Sequence, residues 1–182
     1  GLYCREPFLK DGGLEWRDAP SESLDADIVR PASDPFDAEG GLRLVAGNVG
    51  RAIVKVSAVA PEHYSIKAPA RVLTSQAAFT QAFNDGELET DFVAVLPGQG
   101  PRANGMPELH KLTPYLGVLQ NRGFKVALLT DGRMSGASGK VLAAIQVTPE
   151  SLAGGIIGNI TGLNFNVLHS FGIIVFPVVI VG

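Results

Sequence analysis

Cysteine is nearly absent: Cys4 is the only one in the chain. One thiol closes no intramolecular disulfide and cannot assemble an all-cysteine metal or iron–sulfur site from this chain alone, so a reducing, cytoplasmic setting fits best. Charge is sparse as well. Charged residues make up 18% of the chain, with 15 Lys and Arg against 18 Asp and Glu and a formal net charge of −3. No stretch carries the dense basic stripe that a phosphate backbone requires, which argues against nucleic acid as a partner and leaves small molecules or proteins. The opening GLYCREPFLKDGG has neither an initiating Met nor the apolar core of a signal peptide, and is read as a sign that residues precede it. The apolar run FGIIVFPVVIVG at residues 171–182 falls short of the about 20 residues a membrane span needs, so no membrane partner is expected. What the chain does have is 46% apolar residues in a length of 182, enough for one globular domain with a substantial core and a short additional arm.

The most informative stretch is Thr130 to Lys140, TDGRMSGASGK, directly after the apolar run Phe124 to Leu129. A buried strand ending in a polar, Gly-rich turn holds that turn rigidly from below, while Gly132, Gly136 and Gly139 let a ligand approach the backbone. Asp131, Arg133, Ser135, Ser138 and Lys140 supply hydroxyls and cations, so the turn suits an anionic ligand; a well-punctuated surface loop is the plain alternative. It is not a Walker A loop. Gly139-Lys140 is followed by Val141, and Met134 stands where that motif needs its first Gly.

Residues 1 to 41, rich in Pro, Gly, Asp and Ser, read as a linker or wrapping arm, with Phe8, Trp16 and Phe36 either as anchors or as incidental hydrophobes. From Leu42 the pattern alternates, and two strands are expected around Gly47-Asn48-Val49-Gly50, then a strand over Ala70 to Leu73. Asn48 is first a turn residue. Thr74 or Ser75 caps a short helix with Phe79 and Phe83 in the core. The strand Phe92 to Leu96 then leads into GQGPRANGMPELHK, where Pro107 is expected at a first helical position. Glu108 is open to two readings there, a carboxylate complementing the helix dipole or a ligand for a hard cation such as magnesium. Pro114 should interrupt the apolar helical face Leu109, Leu112, Leu116, Leu119. The strand VLAAIQV follows the Gly-rich turn, and Thr148-Pro149-Glu150 reads as a helix start. The sum is an α/β domain in which strands outnumber helices.

With both Gly-rich stretches in view, the runs GNVGRAIVKVSAV, QGPRANGMPELHKLTPYLGVLQNRGFKVALLTDGRMSGASGK and AAIQVTPE resemble the carboxy-terminal domain of the dihydroxyacid and sugar-acid dehydratase family, and GRMSGASGK its 6-phosphogluconate branch. The likeness covers roughly residues 1 to 155. It implies a swivelling β/β/α domain, a barrel-like mixed sheet with flanking helices, and a hydro-lyase that converts 6-phospho-D-gluconate to 2-dehydro-3-deoxy-6-phosphogluconate in the Entner–Doudoroff pathway. It also implies a catalytic base at Ser135 and a magnesium ligand at Glu108. Substrate contacts are expected from Asn104, Arg133, Gly136, Ser138 and Lys140. The family's iron–sulfur cluster, its cysteine ligands and the remaining magnesium ligands belong to an amino-terminal domain, so this chain is expected to be inactive alone, and the full-length enzyme to be a homodimer.

Residues 156–182 contain no Asp, Glu, Lys or Arg, an abrupt change of texture that suggests a reading-frame change or early end. The organisation expected is therefore an arm over 1–41, a dehydratase domain over 42–155 and a divergent tail over 156–182. Two other functions remain open at this point: a dehydratase for another sugar acid or dihydroxyacid, and a truncated, non-catalytic small-anion-binding module.

Overall fold

The computed structural model describes residues 5–47, 49–135 and 140–151, and the backbone of Leu163–Asn166. The chain divides into two compact units, Gly1–Gly40 and Gly41–Gly182. In the first, β1 (Arg5–Lys10) and β2 (Gly13–Asp18) form an antiparallel hairpin. Asp11 and Gly12 join them with φ of 50° and 80°, the left-handed pair that a tight hairpin turn favours. The sequence reading of an extended arm passed over this Asp-Gly signal. Phe8 and Phe36 do not meet in a core; the guanidinium of Arg17 lies 5.1 Å from the centre of one ring and that of Arg30 4.4 Å from the other.

The second unit is built on a six-stranded mixed sheet. Its strands are β3 (Leu42–Gly47), β4 (Gly50–Lys55), β6 (Ala70–Val72), β7 (Phe92–Leu96), β8 (Val126–Thr130) and β9 (Leu142–Thr148), in the order β3-β4-β9-β8-β7-β6. β6 to β9 run parallel, and β4 and β3 close one side antiparallel. A separate pair joins β5 (Ser65–Ala68) to β10 (Leu163–Asn166). β3 and β6 are free edges, so the six-stranded sheet is open: the barrel-like closure expected from the sequence is not present among the described residues. The α/β class holds.

The parallel strands are buried on both faces, which is why FVAVL and VALLT are apolar without alternation. Phe92, Ala94, Leu96, Val126 and Leu128 pack on one side with Phe79 of α1 (Gln76–Asn84). Val93, Val95, Ala127 and Leu129 face Val45, Val54 and Ile66 on the other. α1 starts at Ser75, whose hydroxyl accepts from the Ala78 N–H. A four-residue turn of helix, α2 (Pro101–Asn104), follows β7, and α3 (Thr113–Asn121) precedes β8.

Two local expectations are corrected here. No helix starts at Pro107; Glu108 lies in an isolated parallel bridge with Arg133, and a single 3-10 turn over His110–Leu112 leads into α3. Pro114 does not break a helix but opens one, because in the first turn its missing N–H has no intrahelical partner to lose. No helix among the described residues is long and apolar enough to cross a membrane.

Candidate active site

β7 and β8 run side by side and in the same direction, so the loops that leave their carboxy-terminal ends emerge together. That edge is where open α/β sheets carry their ligands. The first loop delivers Glu108 and the second Arg133 and Ser135. Below them the strand ends are fixed by the Thr130 hydroxyl, which donates to the Leu96 carbonyl at 2.8 Å and accepts from the Gly132 N–H at 3.0 Å.

Asp131 fastens one loop to the other. Its carboxylate is 1% exposed and accepts from the N–H groups of Gly98 (3.2 Å), Gln99 (2.7 Å) and Ser151 (3.0 Å) and from the Ser151 hydroxyl (2.8 Å). A buried carboxylate is tolerable when its lone pairs are matched in this way. Gly132 permits the close approach: a Cβ there would stand 2.7 Å from Leu109 Cδ1 and 2.8 Å from Gln99 Cβ. Glu150 caps the start of α2 from the same side, accepting from the Arg102 N–H at 3.1 Å.

On this base the structure brings Glu108, Arg133 and Ser135 into direct contact. The Ser135 N–H donates to both Glu108 oxygens, at 2.9 and 3.1 Å, and the His110 N–H donates to Oε1 at 3.0 Å. Arg133 donates to Glu108 Oε2 at 3.0 Å and, through Nε, to the Met106 carbonyl at 2.9 Å. Burial acts to raise the Glu108 pKa. Donation from the Ser135 N–H, the Ser135 hydroxyl and the His110 N–H, with the charge of Arg133, outweighs it and holds the carboxyl at about 2 instead of 4.5. Glu108 is thus ionised at neutral pH and fixed in direction. No α-helix begins at Glu108, but its carboxylate accepts from the first N–H of the 3-10 turn His110–Leu112 that leads into α3.

Asn104 and Lys140 make other contacts. Asn104, at the end of α2, donates to the Gln99 side chain at 3.3 Å. Lys140 lines a cleft of about 430 Å³ with Ser57, Glu62, His63 and Gln120, a set that includes none of Glu108, Arg133 and Ser135. Gly136 and Ser138 lie outside the described residues. Lys55, which the sequence reading did not single out, reaches from β4 to the Met134 carbonyl at 2.7 Å; only its place in the run GRAIVK near the turn's partner strands could have drawn notice.

As a metal ligand Glu108 has the right chemistry, a hard and ionised oxygen donor. The described residues contain no group of three or more His, Cys, Asp or Glu that could hold a metal ion, so Glu108 would be one ligand of a shared site. An iron–sulfur cluster does not fit this chain, which has one cysteine where such clusters take several.

Residues 27–162 match the family described as dihydroxy-acid/6-phosphogluconate dehydratase, C-terminal. The chain belongs to this family. Among its relatives, the phosphogluconate dehydratase of Pseudomonas aeruginosa is 68% identical over 153 residues, which are 84% of this chain and 25% of that protein. That of Zymomonas mobilis is 57% identical over 159 residues, 87% of this chain and 26% of the relative. A dihydroxy-acid dehydratase of Ignicoccus hospitalis is 36% identical over 161 residues, 86% of this chain and 29% of the relative. The chain therefore spans about a quarter of the length of the phosphogluconate dehydratases it matches.

Proposed function

We propose that this chain supplies the proton-transfer half of a phosphogluconate dehydratase active site, with Ser135 taking the proton from C2 of 6-phosphogluconate. The observation that carries the reading is the contact of Ser135 with Glu108, made by loops from two adjacent parallel strands. The higher identity to phosphogluconate dehydratases than to the dihydroxy-acid dehydratase supports the substrate. Loss of the C2 proton and of the C3 hydroxyl yields water and an enol. Its tautomer is 2-dehydro-3-deoxy-6-phosphogluconate, so atoms balance without a redox partner.

A serine hydroxyl is a weak acid and must be held with its proton directed away from the substrate. Here the Ser135 N–H donates to both Glu108 oxygens, which sets the serine beside an ionised carboxylate that can accept from its hydroxyl. A carboxyl with a pKa near 2 is too weak a base to deprotonate serine, so the role of Glu108 towards it is orientation. Magnesium bound at Glu108 would supply the positive charge that eases formation of both the serine alkoxide and the enolate-like state. Arg133, Gly136, Ser138, Lys140 and Asn104 remain proposed substrate contacts, and the swivelling motion, the cytoplasmic setting and the homodimer belong to the same reading. The cluster and its cysteines are assigned to polypeptide outside this chain.

The test is a hybrid enzyme in which this whole chain replaces the matching part of the Pseudomonas aeruginosa relative, assayed with 6-phosphogluconate and with gluconate. Preference for the phosphorylated acid is expected. A folded hybrid that dehydrates gluconate or a dihydroxyacid faster would move the reading to another substrate.

A further inference from the structure

The peptide bond between Met134 and Ser135 is held at both ends by opposite charges. Its N–H, that of Ser135, donates to the Glu108 carboxylate at 2.9 and 3.1 Å. Its carbonyl, that of Met134, accepts from the Lys55 ammonium at 2.7 Å. The two charges come from separate elements, one from the loop after β7 and one from β4. Lys55 is half-buried, and β4 is paired on both sides, with β3 and β9, so the ammonium is presented from an interior strand of the sheet. The Met134 side chain is buried in the core beside Thr113, whose hydroxyl lies 3.5 Å from its sulfur. This fixes the residue before Ser135 but leaves the orientation of its peptide plane to the polar contacts. An exposed lysine contact contributes little, but a charged donor to a partly buried carbonyl is among the stronger hydrogen bonds, and its removal leaves an acceptor unpaired.

We infer that Lys55 is a positioning residue for Ser135: it sets the plane of the Met134–Ser135 peptide, and so the direction in which the serine leaves the turn. The inference rests on the proposed role of Ser135 for its catalytic meaning, but its geometry does not. Rotation of that peptide would carry the Ser135 N–H off Glu108, so losing Lys55 should loosen both contacts together.

The experiment has two arms. In the 182-residue chain, amide exchange at Ser135 is followed by NMR in Lys55→Met and Lys55→Arg. Exchange about tenfold faster in Lys55→Met, with the global unfolding midpoint little changed and near-normal protection in Lys55→Arg, is the expected result. Unchanged exchange in Lys55→Met overturns the inference. If Lys55→Met does not fold, Lys55→Arg and Lys55→Gln decide: loss of Ser135 protection in Lys55→Arg equal to that in Lys55→Gln overturns it. In the hybrid enzyme, Lys55→Met should lower kcat about tenfold with KM little changed, and Lys55→Arg should restore most of it. A rise in KM alone would contradict positioning. If the unsubstituted hybrid has no turnover, the proposed function fails, while the exchange arm still judges Lys55.

Discussion

Glu108 is the residue on which the site turns, and its titration gives a stability prediction with a definite sign. Its folded pKa of about 2 lies below the ordinary 4.5, so the ionised form contributes stability in full above pH 4.5. That contribution is lost as pH falls from 4.5 towards about 2. Denaturant midpoints of the chain and of Glu108→Gln should therefore differ at neutral pH and converge in acid; a difference that stays constant across that window would refute the assignment. Gly132 offers a second test at this scale. A methyl group there meets Leu109 and Gln99 at under 3 Å, so Gly132→Ala should destabilise by about 1–3 kcal/mol through overpacking, read as a lower unfolding midpoint. A neutral Gly132→Ala would mean that the two loops are less tightly apposed than these distances state. Both residues were visible in the sequence as members of Gly-rich stretches. The family resemblance put Glu108 and Ser135 in one site, but their direct contact was not legible, because they meet through two loops separated by a whole helix and strand.

At the scale of elements, the parallel pair β7 and β8 and the loops above them form one assembly pinned by Asp131. Asp131→Asn keeps the shape but turns one acceptor into a donor facing N–H groups, and should cost about 1–3 kcal/mol, measured by thermal or denaturant unfolding. A change within experimental error would show that the four donors are satisfied in some other way. The strands themselves were legible, because FVAVL and the apolar run before Thr130 are short, uninterrupted and bounded by turn residues. The hairpin of β1 and β2 was not, because Leu9, Leu14 and Trp16 remain exposed and burial leaves no alternation to read; Asp11-Gly12 was its one signal. Pro107 and Pro114 were misread by the same rule. Proline marks a first helical turn or a break equally well, and only the pairing of Glu108 with Arg133 decides that the helix starts at the second of them and not at the first.

For the whole molecule, the α/β class was legible in the sequence and the closure of the sheet was not. The mixed α/β character follows from strand and helix patterns, whereas an open or closed sheet depends on whether β3 and β6 meet, which no local pattern encodes. The chain spans about a quarter of the phosphogluconate dehydratases it matches, and it has one cysteine. On the proposed function, the 182-residue chain alone should not turn over 6-phosphogluconate, and measurable dehydration by it would show that the site is complete without other polypeptide. The most direct measurement is the turnover of Ser135→Ala in the hybrid enzyme built with the Pseudomonas aeruginosa relative. The account predicts a folded protein, with a far- and near-ultraviolet spectrum like that of the unsubstituted hybrid, whose kcat for 6-phosphogluconate has fallen by about a thousandfold or more. A folded Ser135→Ala hybrid that retains near-normal kcat would contradict it.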